Sequence, residues 1–122
     1  MTFSSGPLKS HIGAYILIIW KEEKGWIMVG RLGRRIFPRG IYFYVGSAKG
    51  GIEARVRRHL HRRKFHWHID YLLDQGEVLG AGFVESGIEC DLASALKLRM
   101  RSIPGFGASD CGCDSHLFYL EV

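Results

Sequence analysis

Tyr44-Val45-Gly46-Ser47-Ala48-Lys49-Gly50-Gly51-Ile52-Glu53-Ala54-Arg55-Val56-Arg57-Arg58-His59 is the stretch in which the chain changes period. Before it, Ile41 to Val45 is a β-branched and aromatic run of strand length. Gly46 to Gly51, with two consecutive glycines at its end, reads as a turn. Beyond the turn Ile52, Val56 and Leu60 recur at i, i+4 and i+8, the apolar stripe of a helix, while Arg55, His59 and Arg62 follow a neighbouring stripe at i, i+4 and i+7. A strand therefore runs through a glycine turn into a helix that packs by one face and presents Arg and His with another.

Working outward toward the N-terminus, Gly13 to Trp20 is a second β-branched run, closed by the polar turn Lys21 to Lys24. Trp26 to Leu32 has the same character and is expected to pair with it as a hairpin. Gly33, Arg34, Arg35, Pro38 and Gly40 then read as a connecting loop. Met1 to Lys9 is aperiodic and reads as a mobile tail. Toward the C-terminus, Ile69, Leu72 and Leu73 predict a short helix from near Trp67, and Val78 to Val84 a further strand. Ser86 and Glu89 match a capping box before a helix to about Met100, which Pro104, Gly105 and Gly107 end. A last strand spans Leu117 to Val122. The order implies an α+β fold in one domain over residues 1–122: a small, mainly antiparallel sheet, with strands 1 to 3 antiparallel, flanked by helices.

The chain has 122 residues and a net charge of +5, but the charge is unevenly spread. Residues 31–68 hold 11 Lys and Arg against a single acid, Glu53, while residues 69–122 hold 3 against 9. A block this basic is the footprint of a surface that meets phosphates, with solvated charge as the bland alternative. The longest apolar run, Ala14 to Trp20, is far shorter than the roughly 20 residues that span a bilayer. Three cysteines in a chain of this size argue against a disulfide framework and for a reducing compartment, the cytoplasm.

Tyr42 and Tyr44 share one face of their strand, and Tyr15 comes near them if the strands are neighbours. For any one tyrosine alone, cross-strand packing is sufficient explanation. Taken together with the turn and helix beyond them, the tyrosines resemble the GIY-YIG endonuclease superfamily: Gly13-Ala14-Tyr15 as the first motif, Tyr44-Val45-Gly46 as the second, then Ser47-Ala48, and Arg55 with His59 on the helix. Phe65-His66-Trp67-His68-Ile69-Asp70-Tyr71-Leu72 and Cys111-Gly112-Cys113-Asp114-Ser115-His116-Leu117 look like the small stand-alone Uri-superfamily branch, some relatives of which are fused to DNA-repair glycosylases. Gly40-Ile41-Tyr42 also matches the first motif literally, yet it runs into Tyr44-Val45-Gly46 on one strand, whereas the family takes its two tyrosines from neighbouring strands. Tyr15 and Tyr44 stand 29 positions apart, longer than the usual family hairpin, so Tyr42 remains the fallback.

The resemblance implies a metal-dependent endonuclease that hydrolyses phosphodiesters in DNA, in repair or processing, with a DNA-repair enzyme as possible partner. Tyr15 or Tyr44 would take the proton from the attacking water, assisted by His59, and Arg55 would hold the scissile phosphate with its planar fork. One carboxylate would hold Mg2+ or Mn2+. Glu89 is the candidate, because it shares a helix face with Leu92 and Leu96, with Asp91 next. Arg34, Arg35, Arg58, Arg62, Arg63 and Lys64 are candidate contacts to nucleic acid; His66 and His68 either join them or cap and pack the short helix. Gly46, Ser47 and His116 are candidate support for the active site. Cys111, Cys113 and His116, with Cys90, offer a weak zinc spacing. The alternatives are a nucleic-acid-binding module that does not cut, and a nuclease for RNA or single strands.

Overall fold

The computed structural model describes residues 14–47, 68–84, 89–107 and 113–122. Five strands form one antiparallel sheet in the order β5-β1-β4-β7-β6: β1 (Ala14–Lys21), β4 (Gly40–Ser47), β5 (Glu77–Val84), β6 (Arg101–Ser102) and β7 (Leu117–Glu121). A separate antiparallel ribbon pairs β2 (Gly25–Met28) with β3 (Arg34–Phe37). Among the described residues there are also two α-helices, α1 (His68–Leu73) and α2 (Glu89–Lys97). The expected α+β class with an antiparallel sheet is what the chain adopts. The helix expected after Gly51, with Arg55, Arg58, His59, Arg62, Arg63, Lys64 and His66 on or just beyond it, lies outside the described residues, as do the tail and Cys111.

The sheet separates two apolar layers because its strands alternate. Tyr15, Leu17 and Ile19 of β1, Tyr42 and Tyr44 of β4 and Leu117 of β7 face one side. There they pack with Ile69, Leu72 and Leu73 of α1 and with Ile27, Val29 and Phe37 from the ribbon. Val45 and Phe118 face the other side, against Leu92, Ala93 and Leu96 of α2. Each helix thus buries an apolar stripe on its own face of the sheet, as the periodicity of Ile69, Leu72 and Leu73, and of Leu92 and Leu96, requires.

One pairing differs from expectation. Trp26 to Leu32 does not form a hairpin with β1, because both edges of β1 are taken by eight-residue strands: β4, from Ala14 opposite Ser47 to Lys21 opposite Gly40, and β5. Its Gly25–Met28 portion pairs instead with Arg34–Phe37, inside the segment expected as a loop. Gly30–Leu32 makes a 3-10 turn between them, closed by Leu32 N–H to Val29 O at 2.9 Å and Val29 N–H to Gly33 O at 3.0 Å. Gly30 and Gly33 hold φ of +48° and +85°, where glycine is free of the Cβ penalty. Gly33 and Pro38, which read as loop punctuation, instead bracket a short strand.

Candidate active site

The β1–β4 register sets Tyr15 opposite Gly46 and Leu17 opposite Tyr44. Tyr15 and Tyr44 therefore stand on one face as diagonal neighbours from adjacent strands, ring centroids 6.3 Å apart and both buried. The Tyr15 ring lies across Gly46: a Cβ built there would fall 2.2 Å from Tyr15 Cζ and 2.3 Å from its hydroxyl oxygen. Any larger residue at 46 would displace the ring. The glycine of the second motif and the tyrosine of the first are thus one packing unit.

Tyr44 reaches a turn between β6 and β7. A Cβ on Gly107, whose φ is +69°, would lie 3.1 Å from Tyr44 Cε1, 3.7 Å from the Tyr44 hydroxyl and 3.3 Å from His116 Cβ. Tyr44, Gly107 and His116 are thus mutual neighbours. His116 is buried; its N–H donates to Phe106 O at 2.8 Å and its carbonyl accepts from Val45 N–H at 2.9 Å, which fixes it beside β4. His68, at the start of α1, accepts the Gly107 N–H on Nδ1 at 2.8 Å and sets its ring edge-on to Phe106. These contacts tie His68 to the turn between β6 and β7. Because Nδ1 is the acceptor, the neutral ring carries its proton on Nε2. Burial holds the His68 pKa below the usual imidazole value.

Phe106 joins these groups: its ring meets Tyr44 at 6.3 Å, Phe37 at 6.0 Å and His68 at 5.6 Å, all near edge-to-face. Sequence reasoning missed Phe106 and Gly107, reading Pro104 to Gly107 only as the end of a helix. The signal was a large apolar residue between two glycines, Gly105 and Gly107, both with positive φ, which is a turn built to bury its central side chain.

Tyr42 shares the face of Tyr44 but has a different environment. Its hydroxyl donates to Pro38 O, its ring stacks on Tyr119 at 5.4 Å, and burial, then Tyr119 and Glu121, push its pKa well above the ordinary phenol value. A phenol so held is a poor base.

The other candidates are dispersed. Arg34 and Arg35 stand on β3, Arg34 exposed with its guanidinium 4.8 Å from the centroid of the Trp26 ring. The side chains of Ser47, Glu89 and Cys90 lie outside the described residues. The backbone of Glu89 opens α2 five positions after Val84, whose sheet partner is Ala14, so the helix begins after the strand end next to Tyr15. The Leu92 and Leu96 stripe does face the sheet, but on the side opposite the tyrosine rings. Asp91 is exposed. A cleft lined by Ala93, Ser94, Lys97, Cys113 and Phe118 also belongs to that opposite side. Cys113 is a half-buried thiol, and among the described residues no three His, Cys, Asp or Glu side chains gather as a metal cage. Among the same residues no helix is long and apolar enough to cross a membrane.

An antiparallel sheet with a tyrosine pair on two neighbouring strands, packed between helices, defines the class: a small α+β domain with a polar aromatic site at one end of its sheet. The chain matches the family described as a domain of unknown function, DUF123, over residues 14–122, and belongs to it. No curated protein and no solved structure matches the chain significantly.

Proposed function

We propose that this chain is a metal-dependent endonuclease of the GIY-YIG type, of the Uri-related branch, that hydrolyses phosphodiester bonds in DNA. The observation that carries the reading is the Tyr15–Tyr44 pair, 6.3 Å apart on neighbouring strands with Gly46 under the Tyr15 ring. Packing accounts for the glycine at 46, but not for a histidine at 116 beside Tyr44 together with the basic run of residues 31–68 in one chain. Tyr15, and not Tyr42, is the first tyrosine of this reading, since it stands on the strand next to that of Tyr44 whereas Tyr42 shares the strand of Tyr44.

In the proposed reaction the oxygen of a water bonds to phosphorus, its proton passes to the phenolate oxygen of ionised Tyr44 or Tyr15 to give the neutral phenol, and the bond to the leaving sugar oxygen breaks as that oxygen takes up a proton from solvent. A phenol ordinarily ionises near pH 10, so positive charge must stand near it for the base to work at neutral pH. In this reading Arg55 and His59 would supply that charge, and Arg55 would hold the non-bridging phosphate oxygens as charge grows on them. Glu89 would hold one Mg2+ or Mn2+, as suits ions that bind through one or two carboxylates plus substrate phosphate. The ion, when bound, contributes Lewis-acid stabilisation of the phosphoryl oxygens.

The test is incubation of the purified chain with duplex, nicked, branched and single-stranded DNA and with RNA, with Mg2+, with Mn2+ and with chelator. Cleavage of DNA that needs a divalent ion and is lost in Tyr44→Phe supports the reading. Binding without cleavage under every condition makes the chain a binding module, and cleavage confined to RNA moves the substrate class.

A further inference from the structure

The β2–β3 ribbon presents a face that the core does not use. Its inner face buries Ile27 and Phe37; its outer face exposes Trp26 (58%), Met28 (61%), Ile36 (37%) and Arg34. The register makes this one continuous patch, with Trp26 opposite Ile36 and Met28 opposite Arg34. A solvent-facing Trp beside Met and Ile on a four-residue strand costs stability and solubility unless something covers it. The charge around it states what does. From Gly25 to Ile52 there is no acidic residue, and Arg31, Arg34, Arg35 and Arg39 lie on or next to the ribbon. The Arg34 guanidinium, 4.8 Å from the Trp26 centroid, lies over the ring and leaves the indole more than half exposed.

We propose that this ribbon is the substrate-selecting element of the nuclease, and that Trp26 stacks on an unpaired base of DNA while Arg34, on the same face, contacts a phosphate beside it. An exposed aromatic beside an arginine on the same face, in a stretch from Gly25 to Ile52 that holds no acid, matches the chemistry of an unstacked nucleotide: a π-face for the base and a cation for the backbone next to it. Fully paired duplex offers the same phosphates but no free base face. The ribbon is also joined to the tyrosine site. Leu32, in the ribbon turn, touches Gly105 closely enough that a Cβ there would be 2.8 Å from Leu32 Cδ1, and the adjoining Phe106 and Gly107 hold Tyr44. The ribbon therefore covers the side of the sheet that carries Tyr44.

The proposal rests on the nuclease reading for its biological sense, but its test does not require cleavage. DNA duplexes carrying a single unpaired 2-aminopurine, and fully paired controls with 2-aminopurine at the same position, are titrated with the chain in chelator. The unpaired probe is expected to be quenched on binding, and Trp26→Ala to lose the quenching and about tenfold or more in affinity for the unpaired DNA alone. Trp26→Phe is expected to keep most of both. Thermal melts serve as the folding control, since an exposed side chain contributes little to the core. Equal affinity losses on paired and unpaired DNA, no loss at all, or a switch from oligomer to monomer in Trp26→Ala would each overturn it, the last by assigning the patch to a second copy of the chain. If cleavage fails while Trp26-dependent discrimination persists, the nuclease reading falls and the ribbon stands; the reverse pattern separates them the other way.

Discussion

At the scale of single residues, three tyrosines share one face of one sheet in different surroundings, Tyr15 over Gly46, Tyr44 against Phe106 and Tyr42 stacked on Tyr119. Tyr42→Phe removes a bond to Pro38 O, so its expected cost is to stability, about 1 kcal/mol, with cleavage retained. Tyr15→Phe and Tyr44→Phe keep the ring contacts with each other and, for Tyr44, with Phe106. They are expected to stay folded and to lose cleavage by about a hundredfold or more. Single-turnover rates with melts of the three proteins check this; full activity in both Tyr15→Phe and Tyr44→Phe moves the chemistry elsewhere. His68 carries a pH dependence. Its pKa in the fold is below the unfolded value of about 6.5, so the unfolded chain binds the extra proton first. Its contribution to stability is therefore complete above pH 6.5 and falls as the pH drops from there toward the folded pKa. His68→Asn offers an amide oxygen as acceptor for Gly107 N–H and does not titrate, so denaturant melts between pH 5 and 8 should show a flatter profile for the variant. Identical slopes would mean that other groups set the acid limit.

At the scale of elements, the pairing of β1 with β4 and the turn between β6 and β7 hold the site from opposite sides of Tyr44. Gly46 is where the first of these is most sensitive. A methyl group at 46 would fall within 2.6 Å of three Tyr15 atoms, far inside van der Waals contact. Gly46→Ala is expected to destabilise by about 1–3 kcal/mol through overpacking and to swing the Tyr15 ring away from Tyr44. The double variant Gly46→Ala with Tyr15→Phe is then a measure of coupling: cleavage should fall little further than in either single variant, because both changes disable the same group. Additive losses would show that Gly46 matters through the strand backbone instead. The ribbon behaves differently as an element. Two four-residue strands held by one 3-10 turn are marginal alone, and their inner residues, Ile27, Val29 and Phe37, anchor them to the core while the outer face stays open.

At the scale of the whole molecule, the uneven charge distribution is the dominant feature, since the net +5 conceals a stretch with 11 basic residues and one acid. Each phosphate neutralised by that stretch contributes about −0.9 to the slope of log affinity against log salt for duplex DNA. With several contacts the slope should be about −3 or steeper, measured on an uncleaved duplex in chelator. Arg34→Ala with Arg35→Ala should flatten it by about 2 with little change in sequence preference, because phosphate contacts position without specifying. A salt-independent affinity would assign the charge to solubility.

Much of this architecture was legible in the residues themselves. Strand β1, strand β4, the short helix from His68, β5 and the terminal strand follow from β-branched runs and i, i+3, i+4 spacing, which are local properties that tertiary contacts here reinforce. The placing of Tyr15 beside Tyr44 was legible only as an expectation from a two-motif resemblance, because nothing local relates positions 29 apart. Tertiary structure decided the rest. Trp26 to Met28 has the composition of a strand that could pair with β1, but β1 has two edges and longer strands took both, so the segment found a local partner among arginines that pattern alone reads as loop. Phe106 and Gly107 enter the site through a turn whose sequence announces only a helix end, and Tyr42 is set apart from Tyr44 by a proline carbonyl four residues before it. Periodicity encodes which face a side chain takes, since that depends on the residue's own backbone. Which edge pairs with which, and which group a side chain meets, depends on competition among distant segments for the same contacts, and only the folded chain resolves it.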